Sequence, residues 1–415
     1  MKSRYIKYAL LKKRKSKYGR IIVLTGARQT GKTTLSKLCY PGYTYLSIED
    51  PVLRSEYKAL TASQWKEYYP QAILDEIQKE PQLIESIKSV YDQYETSRYL
   101  LLGSSQLLLL EKVKESLAGR CSIKEVYPLT LPEMLSTSWE TEVKDSVFQY
   151  FIKHQIIPAL IPSVKLHQSY PEIERWFRHY LQFGGYPALV DEKMTTHERN
   201  EWLHNYIRTY LEHDIRDLAS FRNLEPFVIT QKISATLTGQ VVNYTALARE
   251  AGITNKTAQR FLQYLQLSYQ TIELKPWHKN KMKRLTKSSK LHYLDPGIQQ
   301  AILNKQGNLN GHEFESAIIA EVYKQLKNIE FNGDIYHLRT SDGREIDLLI
   351  ELQSGYITIE VKQSTRVDRT DVRHLYNIEE ILDKPVIKGF IISRDPSVKN
   401  FGDNIMAIPA SLFLS

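Results

Sequence analysis

The sequence lacks long hydrophobic runs and has few cysteines. No apolar stretch among its 415 residues approaches the roughly 18 residues that span a bilayer. This argues against a membrane protein and against secretion. The two cysteines, Cys39 and Cys121, have neither CxxC spacing nor a nearby histidine, so neither a disulfide framework nor a cysteine metal site is indicated. The expected location is the reducing cytoplasm.

Internal repeats of solenoid length and low-complexity segments are also missing. The chain is too long for one ordinary core and should contain two to four domains. Residues 20–140 alternate short apolar runs with longer amphipathic stretches, which is typical of an α/β fold with a mostly parallel sheet. The pattern then becomes helical, and NKQGNLN at 304–310 is the best linker candidate. We therefore predict three units, at residues 1–140, 141–303 and 304–415.

The net charge of +9 is concentrated in two segments. Residues 1–20 contain nine Lys or Arg and residues 275–290 contain seven, and neither segment contains an acid. Without these 16 bases the chain has 40 bases against 47 acids, a net charge of −7. Local basic segments fit a phosphate-rich partner such as DNA. A solvated face that binds nothing is the alternative.

The stretch IIVLTGARQTGKTTL, residues 21–35, contains the strongest motif. An apolar strand is followed by the GxxxxGK[ST] pattern and then by a helix, the context of a phosphate-binding P-loop. Its glycines allow backbone N–H groups to surround a phosphate, and the helix N-terminus adds a positive dipole. Lys32 is expected to reach the β- and γ-phosphates of ATP, and Thr33 to bind Mg²⁺. The residues expected to contact the nucleotide are Gly26, Ala27, Arg28, Gln29, Thr30, Gly31, Lys32, Thr33 and Thr34.

Two further strand ends carry polar residues suited to ATP hydrolysis. AILDEIQ ends in adjacent acids, of which Asp75 would hold Mg²⁺ through water and Glu76 would act as general base for the attacking water. RYLLLGSS ends in Ser104 and Ser105, where a hydroxyl would sense the γ-phosphate. An ordinary turn at the end of the strand is the alternative for the serines.

Several motifs together resemble a known family. GARQTGKTTL, YLSIED, ILDEIQ, LLLGSS, ESLAGR, YPLTLPEM, FGGYPALV, GITNKTAQRFLQYLQ and KLHYLDPGI occur in this order. The chain thereby resembles prokaryotic AAA+ ATPases whose C-terminal half is catalogued as a domain of unknown function. The resemblance implies ATPase roles for Lys32, Thr33, Asp75, Glu76 and one of the two serines. Arg120 would contact the γ-phosphate, within one subunit or across an interface; a structural salt bridge is the alternative.

Residues 241–274 have the helix, tight turn, helix pattern of a helix-turn-helix, followed by a strand and a basic loop. This predicts a winged helix. If it reads DNA, its second helix would enter the major groove with Lys256, Gln259 and Arg260 outward. Protein docking is the alternative, because the fold alone does not set the function.

Residues 345–362 read as a β-hairpin. Alternation of apolar residues predicts that Leu348 faces Val361 and Ile350 faces Ile359, which sets Asp347 opposite Lys362 and diagonal to Glu360. Two carboxylates and a lysine would then share the other face. A polar side of a half-buried sheet is the alternative.

This cluster resembles the core of PD-(D/E)XK nucleases, which implies a restriction-endonuclease-like α/β fold for the C-terminal unit. The resemblance implies that Glu315, with Glu313 as second choice, joins Asp347 and Glu360 around Mg²⁺ or Mn²⁺, and that Lys362 activates water.

The sequence therefore predicts a cytoplasmic, Mg²⁺-dependent AAA-type ATPase coupled to a DNA-associated C-terminal unit with possible nuclease activity. ATP hydrolysis would change the relative placement of the units. Two alternatives stay open: an ATP-switched scaffold or signalling protein with an inactive nuclease fold and a protein partner, and a winged-helix DNA-binding regulator. A homo-oligomer is also compatible with the sequence.

Overall fold

The computed structural model describes residues 1–16, 19–103, 113, 115–211, 223–340, 342–402 and 404–415. Ser104 and Ser105, predicted to sense the nucleotide, lie outside these residues. Within the described ranges, no helix has both the length and the hydrophobicity needed to cross a membrane.

The N-terminal unit is built on a five-stranded parallel sheet with the order β2-β3-β4-β1-β5. Its strands are β1 (Ile21–Thr25), β2 (Thr44–Ser47), β3 (Gln71–Asp75), β4 (Arg98–Leu102) and β5 (Cys121–Glu125). Its helices are α1 (Ile6–Arg14), α2 (Lys32–Cys39), α3 (Pro51–Ala59), α4 (Ala62–Tyr68) and α5 (Gln82–Gln93). The prediction of a parallel α/β unit is confirmed.

Both faces of this sheet are covered, which explains why β1 is a continuous apolar run. Ile21 and Val23 pack in one core with Trp65 of α4, whereas Ile22 and Leu24 pack in a second core with residues of α1 and α2. All five residues of β1 are buried. Because the strands are parallel, the carboxyl ends of β1 and β3 reach the same edge of the sheet, and this edge carries the P-loop and Asp75.

The middle of the chain is mainly helical. Its helices are α6 (Leu131–Leu135), α7 (Val147–His154), α8 (Tyr170–Phe183), α9 (Thr196–Tyr206), α10 (Glu225–Thr236), α11 (Tyr244–Glu250), α12 (Asn255–Leu267), α13 (Lys281–Thr286) and α14 (Pro296–Ile302). A π-helical segment, Ile207–Leu211, follows α9. The strands β6 (Gln240–Val241), β7 (Thr271–Pro276) and β8 (Lys290–Tyr293) pair antiparallel in the order β6-β8-β7.

Helices α10, α11 and α12 share a small core that includes Phe227, Leu247 and Phe261. Gly252, with a φ of 65°, lies in the turn between α11 and α12, and the Thr254 side chain caps α12. The two helices and their turn lie where the sequence predicts them. The winged-helix assignment itself stays a prediction.

Strands of the C-terminal segment lie in the same sheet as strands of the middle segment. It comprises α15 (Gly311–Asn328), β9 (Asp334–Arg339), β10 (Glu345–Glu351), β11 (Tyr356–Lys362), β12 (Val386–Ser393), β13 (Lys399–Asn400), β14 (Ile405–Pro409) and α16 (Ala410–Phe413). The sheet order is β13-β14-β12-β11-β10-β9-β7-β8-β6, and β7 and β9 pair in parallel at Lys275 with Tyr336 and at Pro276 with His337. The sheet thus crosses the predicted boundary between residues 303 and 304.

The hairpin forms, but its predicted register is wrong by two residues. Leu348 pairs with Ile359 and Ile350 pairs with Ile357, and the Leu352 N–H donates to the Gly355 carbonyl across a two-residue turn. A shift of two keeps the same side chains on each face. Continued by one residue beyond Leu348, this register sets Asp347 opposite Glu360 rather than opposite Lys362.

Candidate nucleotide site and C-terminal carboxylate cluster

The P-loop connects β1 to α2 through two backbone positions that favour glycine. Gly26 has a φ of 147°, and a Cβ there would lie 2.2 Å from the Val126 carbonyl oxygen. Gly31 has a φ of 87° and precedes the first turn of α2. Without side chains at these positions, the loop can bring its backbone close to a bound phosphate.

Lys32 points back into the loop. Its Nζ donates to the carbonyl oxygens of Gly26, at 2.9 Å, and Ala27, at 2.8 Å, and the residue is only 7% exposed. The ammonium therefore lies inside the curve of the loop, the position from which it can neutralise phosphate oxygens.

Thr33 and Asp75 are brought together across the sheet edge. The Thr33 hydroxyl donates to Asp75 Oδ2 at 2.7 Å, and the Tyr45 hydroxyl donates to the same oxygen at 2.9 Å. Mg²⁺ in phosphate-transfer sites takes one or two protein oxygens and completes its shell with phosphates and water. Thr33 and Asp75 supply such a pair of oxygens.

Glu76 adopts a strained backbone conformation next to this pair. Its φ is 58°, in the left-handed region that few non-glycine residues occupy and that costs backbone strain. The Gln78 side-chain amide donates to its carboxylate. Glu76 is thereby oriented at the end of β3, beside Asp75.

Three residues outside the motif contact the P-loop and its strand. Arg4 donates to the Thr30 carbonyl at 3.1 Å, and the Tyr206 hydroxyl donates to the Arg28 carbonyl at 3.1 Å. The Tyr269 hydroxyl donates to Thr25 Oγ1 at 2.8 Å. Sequence reasoning missed all three, because their partners are backbone and hydroxyl groups more than 20 residues away.

Arg120 lies far from the P-loop within this chain. It directly precedes β5, and Cys121 pairs with Ile21 at the start of β1, whereas the P-loop follows the end of β1. Its guanidinium forms a two-pronged ion pair with Asp92, at 2.7 and 3.2 Å. An Arg120 contact to nucleotide within one chain is therefore incompatible with this arrangement. Contact across a subunit interface stays a prediction.

The predicted C-terminal residues do gather at one place. Glu315 of α15, Asp347 of β10 and Glu360 of β11 are each at most 6% exposed, and the Lys362 Nζ lies 2.7 Å from Glu360 Oε1. Glu313, the second choice for the helix acid, instead forms a capping box with Asn310. Glu315 is thus the helix acid of this carboxylate cluster.

A lysine from the end of the basic segment 275–290 occupies the cluster. The Lys290 Nζ lies 2.6 Å from Glu315 Oε1, 3.0 Å from Glu345 Oε1 and 3.2 Å from Asp347 Oδ1. Lys290 is 2% exposed. A sequence signal for its burial, though not for its partners, is its position beside Leu291 in the strand-like run KLHYL, where a solvated lysine is not expected.

Burial and neighbouring charges shift the pKa values of several groups in the cluster. Burial, together with the Asp347 carboxylate, raises the pKa of Glu315 to about 7 and the pKa of Glu360 to about 8. Burial alone would lower the pKa of Lys290, but the Asp347, Glu315 and Glu345 carboxylates outweigh it and raise that pKa. Lys290 is therefore charged at physiological pH.

This arrangement does not fit a divalent metal ion. Among the described residues, no group of three or more His, Cys, Asp or Glu side chains is placed to hold a metal. Lys290 and the Val361 N–H already engage both oxygens of Asp347. The predicted Mg²⁺ or Mn²⁺ site at Glu315, Asp347 and Glu360 is thus not formed while Lys290 is in place.

The residues predicted to contact DNA lie on an open face of α12. Lys256, Gln259 and Arg260 are all exposed. By contrast, Arg284 of the basic segment is buried, with ion pairs to Glu351 at 3.3 Å and Asp383 at 3.5 Å. Two of the seven bases of that segment, Arg284 and Lys290, therefore serve internal contacts.

Comparison with known families gives three matches along the chain. Residues 18–135 match the AAA domain family. Residues 174–309 match one domain of unknown function (DUF8612), and residues 310–413 match another (DUF4143). The predicted ATP-binding AAA-type unit is confirmed, as is the presence of domains of unknown function after it. A nuclease-like C-terminal unit stays a prediction.

Similar proteins include uncharacterized ones from bacteria and archaea. An uncharacterized protein of Mycobacterium tuberculosis is 26% identical over 359 residues, covering 83% of this chain and 70% of that protein. One from Methanocaldococcus jannaschii is 24% identical over 438 residues, covering 98% and 88%. Among solved structures, a Walker-type ATPase of Pyrococcus abyssi aligns with 72% of this chain and 96% of its own, at 15% identity and a TM-score of 0.45.

Proposed function

We propose that this protein is a Mg²⁺-dependent ATPase that uses the nucleotide bound at its P-loop to control the middle and C-terminal units. The observation that carries the proposal is the Thr33 hydroxyl 2.7 Å from Asp75 Oδ2, with the Lys32 ammonium held in the adjacent loop. These residues are the types, in the spacing, that phosphate transfer requires.

Each residue has a distinct role in the proposed hydrolysis. Lys32 exchanges its two carbonyl partners for β- and γ-phosphate oxygens, and the N–H groups of the loop and of the first turn of α2 donate to the phosphates. Thr33 and Asp75 would hold Mg²⁺, which neutralises phosphate charge when bound. Glu76 accepts the proton of the attacking water as general base, and Gln78 keeps its carboxylate oriented.

The contacts made by residues beyond the AAA domain support a switch. Tyr206 and Tyr269, from the middle unit, donate to the P-loop and to the strand before it. A phosphate that rearranges the loop carbonyls changes the partner of the Tyr206 hydroxyl. A change of nucleotide would thereby alter the position of α9 directly, through this one hydrogen bond to the P-loop.

ATP turnover by the full-length protein in Mg²⁺ tests the proposal. Lys32→Ala and Glu76→Gln should each reduce turnover at least 100-fold, and Glu76→Gln should retain ATP binding because it keeps the P-loop intact. Lys58→Ala, at a partly exposed lysine paired with Glu80, is the control and should be unchanged. If the Lys32→Ala variant hydrolyses ATP as fast as the wild type, the assignment of the P-loop as the ATPase site is refuted. Identical small-angle scattering profiles with ATP and ADP would refute the proposed conformational switch but not the proposed ATPase activity.

A second candidate function is DNA binding through α12. The observation favouring it is the exposed row of Lys256, Gln259 and Arg260 on a helix whose opposite face packs in its own core. Replacing Lys256 and Arg260 by alanine should weaken binding to duplex DNA and reduce the salt dependence by about one unit of slope for each phosphate that the variant no longer binds. Lys232→Ala on α10, also exposed, is the matched control. Equal weakening by both changes would mean nonspecific attraction.

We propose no hydrolytic step at the C-terminal cluster. Its acids are those expected of a nuclease core, but Lys290 holds three of the surrounding carboxylates. A protein partner for this unit is compatible with the same arrangement.

A further inference from the structure

A cavity of about 500 Å³ lies between β7, β9 and the C-terminal end of α15. Among the described residues that line it, none belongs to the P-loop or to the carboxylate cluster. Its volume lies in the range of small-molecule binding sites. The apolar part of the lining consists of Tyr323, Leu326, Phe331, Ile335 and Tyr336. Aromatic rings in so small a cavity favour a ligand with an aromatic body of its own.

The cavity also carries charges of both signs in equal number. The charged residues that line it are Glu273, Lys275, Arg284, Lys327, Asp334 and Glu351. Arg284 is paired with Glu351 at 3.3 Å, and the Lys327 Nζ lies 3.8 Å from a Glu125 oxygen. Glu273 is hydrogen-bonded to two neighbouring side chains, and burial raises the pKa of its carboxyl group. Most of these charges are therefore already engaged within the protein.

Lys275 and Asp334 are the exception. Both are exposed, and neither forms a salt bridge within the described part of the chain. Lys275 pairs with Tyr336 across β7 and β9, and Asp334 lies two residues earlier on β9. The two side chains thus share one face of the sheet, with their Cα atoms about 8 Å apart. A ligand with one anionic and one cationic group would engage both side chains without adding net charge to the cavity.

A row of tyrosines connects this cavity to the strand before the P-loop. The Tyr323 ring lies edge-on to the Tyr127 ring at 5.8 Å between centroids, and the Tyr127 ring lies edge-on to that of Tyr269 at 5.9 Å. The Tyr269 hydroxyl donates to Thr25 Oγ1 at 2.8 Å. Tyr127 and Tyr269 are buried. Because protein interiors are close-packed, a displaced Tyr323 ring must displace its neighbours in this row.

We propose that the cavity binds a small aromatic zwitterion, of the kind represented by a free aromatic amino acid, as an effector of the ATPase. Lys275 binds its carboxylate and Asp334 binds its ammonium group. The aromatic body packs against Tyr323, Phe331 and Tyr336. Binding of this ligand is independent of the proposed ATPase function, whereas its effect on turnover rests on that function.

Isothermal titration calorimetry on the full-length protein without nucleotide tests the binding site. The probes are L-tryptophan, tryptamine, which lacks the carboxylate, and indole-3-propionate, which lacks the ammonium group. One L-tryptophan should bind per chain, about tenfold more tightly than either analogue, because each analogue loses a hydrogen bond between charged groups.

Two variants assign the charged contacts. Lys275→Met should bind L-tryptophan no more tightly than tryptamine, because the partner of the carboxylate is gone. Asp334→Asn should bind L-tryptophan no more tightly than indole-3-propionate. Lys279→Met, at an exposed lysine of the same basic segment that does not line the cavity, is the matched control and should bind as the wild type does.

Three results would overturn the proposed site. In the first, neither L-tryptophan nor L-phenylalanine binds to the wild type at millimolar concentration. In the second, the three indole probes bind equally tightly, so that the charges do not select the ligand. In the third, Lys275→Met and Asp334→Asn are folded by circular dichroism and bind L-tryptophan as the wild type does. Both residues are exposed, so both variants should fold.

Steady-state ATP turnover with and without saturating L-tryptophan tests the effector role. L-Tryptophan should change wild-type turnover about fivefold or more. Tyr269→Phe keeps the ring but removes the hydroxyl that reaches Thr25, so it should bind L-tryptophan normally and lose this effect. Unchanged wild-type turnover in saturating L-tryptophan would overturn the effector role. A wild type that hydrolyses no ATP would instead refute the proposed ATPase function and leave the binding result standing.

Discussion

Glu321 and Lys324 form an ion pair with an N–O distance of 2.8 Å in which neither side chain is exposed to solvent. Both are on α15, yet each also bonds to the backbone of the segment that follows the AAA sheet. Glu321 Oε1 accepts from the Leu131 N–H at 2.7 Å, and the Lys324 Nζ donates to the Leu129 carbonyl at 3.3 Å. The pair thus ties the C-terminal helix to the start of α6.

Removing one member of this pair should be strongly destabilising. Lys324→Met leaves the Glu321 carboxylate buried without its cation, at an expected loss of about 3–5 kcal/mol in unfolding free energy. Adding Glu321→Gln should recover part of that loss, since the unpaired charge is then gone. Urea denaturation measures both. As a control, Arg178→Met breaks the exposed Arg178–Glu174 pair and should change stability by less than about 1 kcal/mol. A Lys324→Met protein as stable as that control would contradict the prediction.

Gly184→Ala should disrupt the junction between α8 and α14. Gly184 has a φ of 76°, and a Cβ there would lie 1.8 Å from Asp295 Oδ1. Asp295 caps α14 and accepts from the Gly185 N–H at 2.8 Å. Backbone strain and a displaced cap together predict a loss of about 2–4 kcal/mol. Gly42→Ala is the matched control, because nothing lies within 4 Å of its Cβ position. Equal denaturation midpoints for the two variants would contradict the prediction, because they would show that the α8–α14 junction accommodates the extra methyl group without loss of stability.

His179 should make the protein sensitive to acid. Burial, with Arg199, Arg175 and Lys2 nearby, lowers the pKa of His179 to about 4. Unfolding restores a pKa near the ordinary 6.5, so the unfolded chain binds a proton first. The free energy of unfolding therefore includes the full contribution of neutral His179 above pH 6.5. This contribution, up to about 3 kcal/mol, is lost as the pH falls toward 4.

Melting curves of wild type and His179→Phe between pH 7.5 and 4 check this prediction. The phenyl ring keeps the ring contacts with Trp176 and Phe183 but does not titrate, so the variant should lose less stability over this range. His197→Gln, at an exposed histidine, should follow the wild-type curve. Parallel curves for His179→Phe and wild type would mean that His179 does not titrate on unfolding.

Arg120→Ala should leave ATP turnover within about twofold of wild type if Arg120 serves only its ion pair with Asp92. Asp92→Ala breaks the same ion pair but keeps the Arg120 guanidinium. It therefore separates the structural role of Arg120 in the ion pair from a role in contacting nucleotide. Turnover that falls in Arg120→Ala alone, and that depends on protein concentration, would instead assign Arg120 to a neighbouring subunit's nucleotide. Steady-state turnover at several protein concentrations decides between them.

Features encoded by short sequence segments could be predicted. The P-loop, the acids at the end of β3 and the α11–turn–α12 segment depend on residues within one strand, turn or helix, and they lie where expected. The shared face of Asp347 and Glu360 also followed, because hairpin alternation fixes which face each strand residue takes. Glu315 of the preceding helix was implied only by the resemblance to a nuclease core.

The remaining features depend on packing between distant segments. Alternation has a period of two, so it cannot distinguish registers that differ by two residues; the two-residue turn at Gln353 and Ser354 decides that question. Lys290 could not be assigned to the cluster, because its position depends on β8 entering the same sheet as β10. Likewise, no local pattern indicates that Tyr206 reaches the Arg28 carbonyl.

The pairing of β7 with β9 has a consequence for dissecting the protein. A fragment beginning near residue 304 would expose the backbone N–H and C=O groups of β9 that now face β7, and a fragment ending there would expose those of β7. Unpaired strand edges recruit strands from other molecules. Fragments cut at this linker should therefore self-associate or precipitate, and a cut after residue 140 avoids opening this sheet.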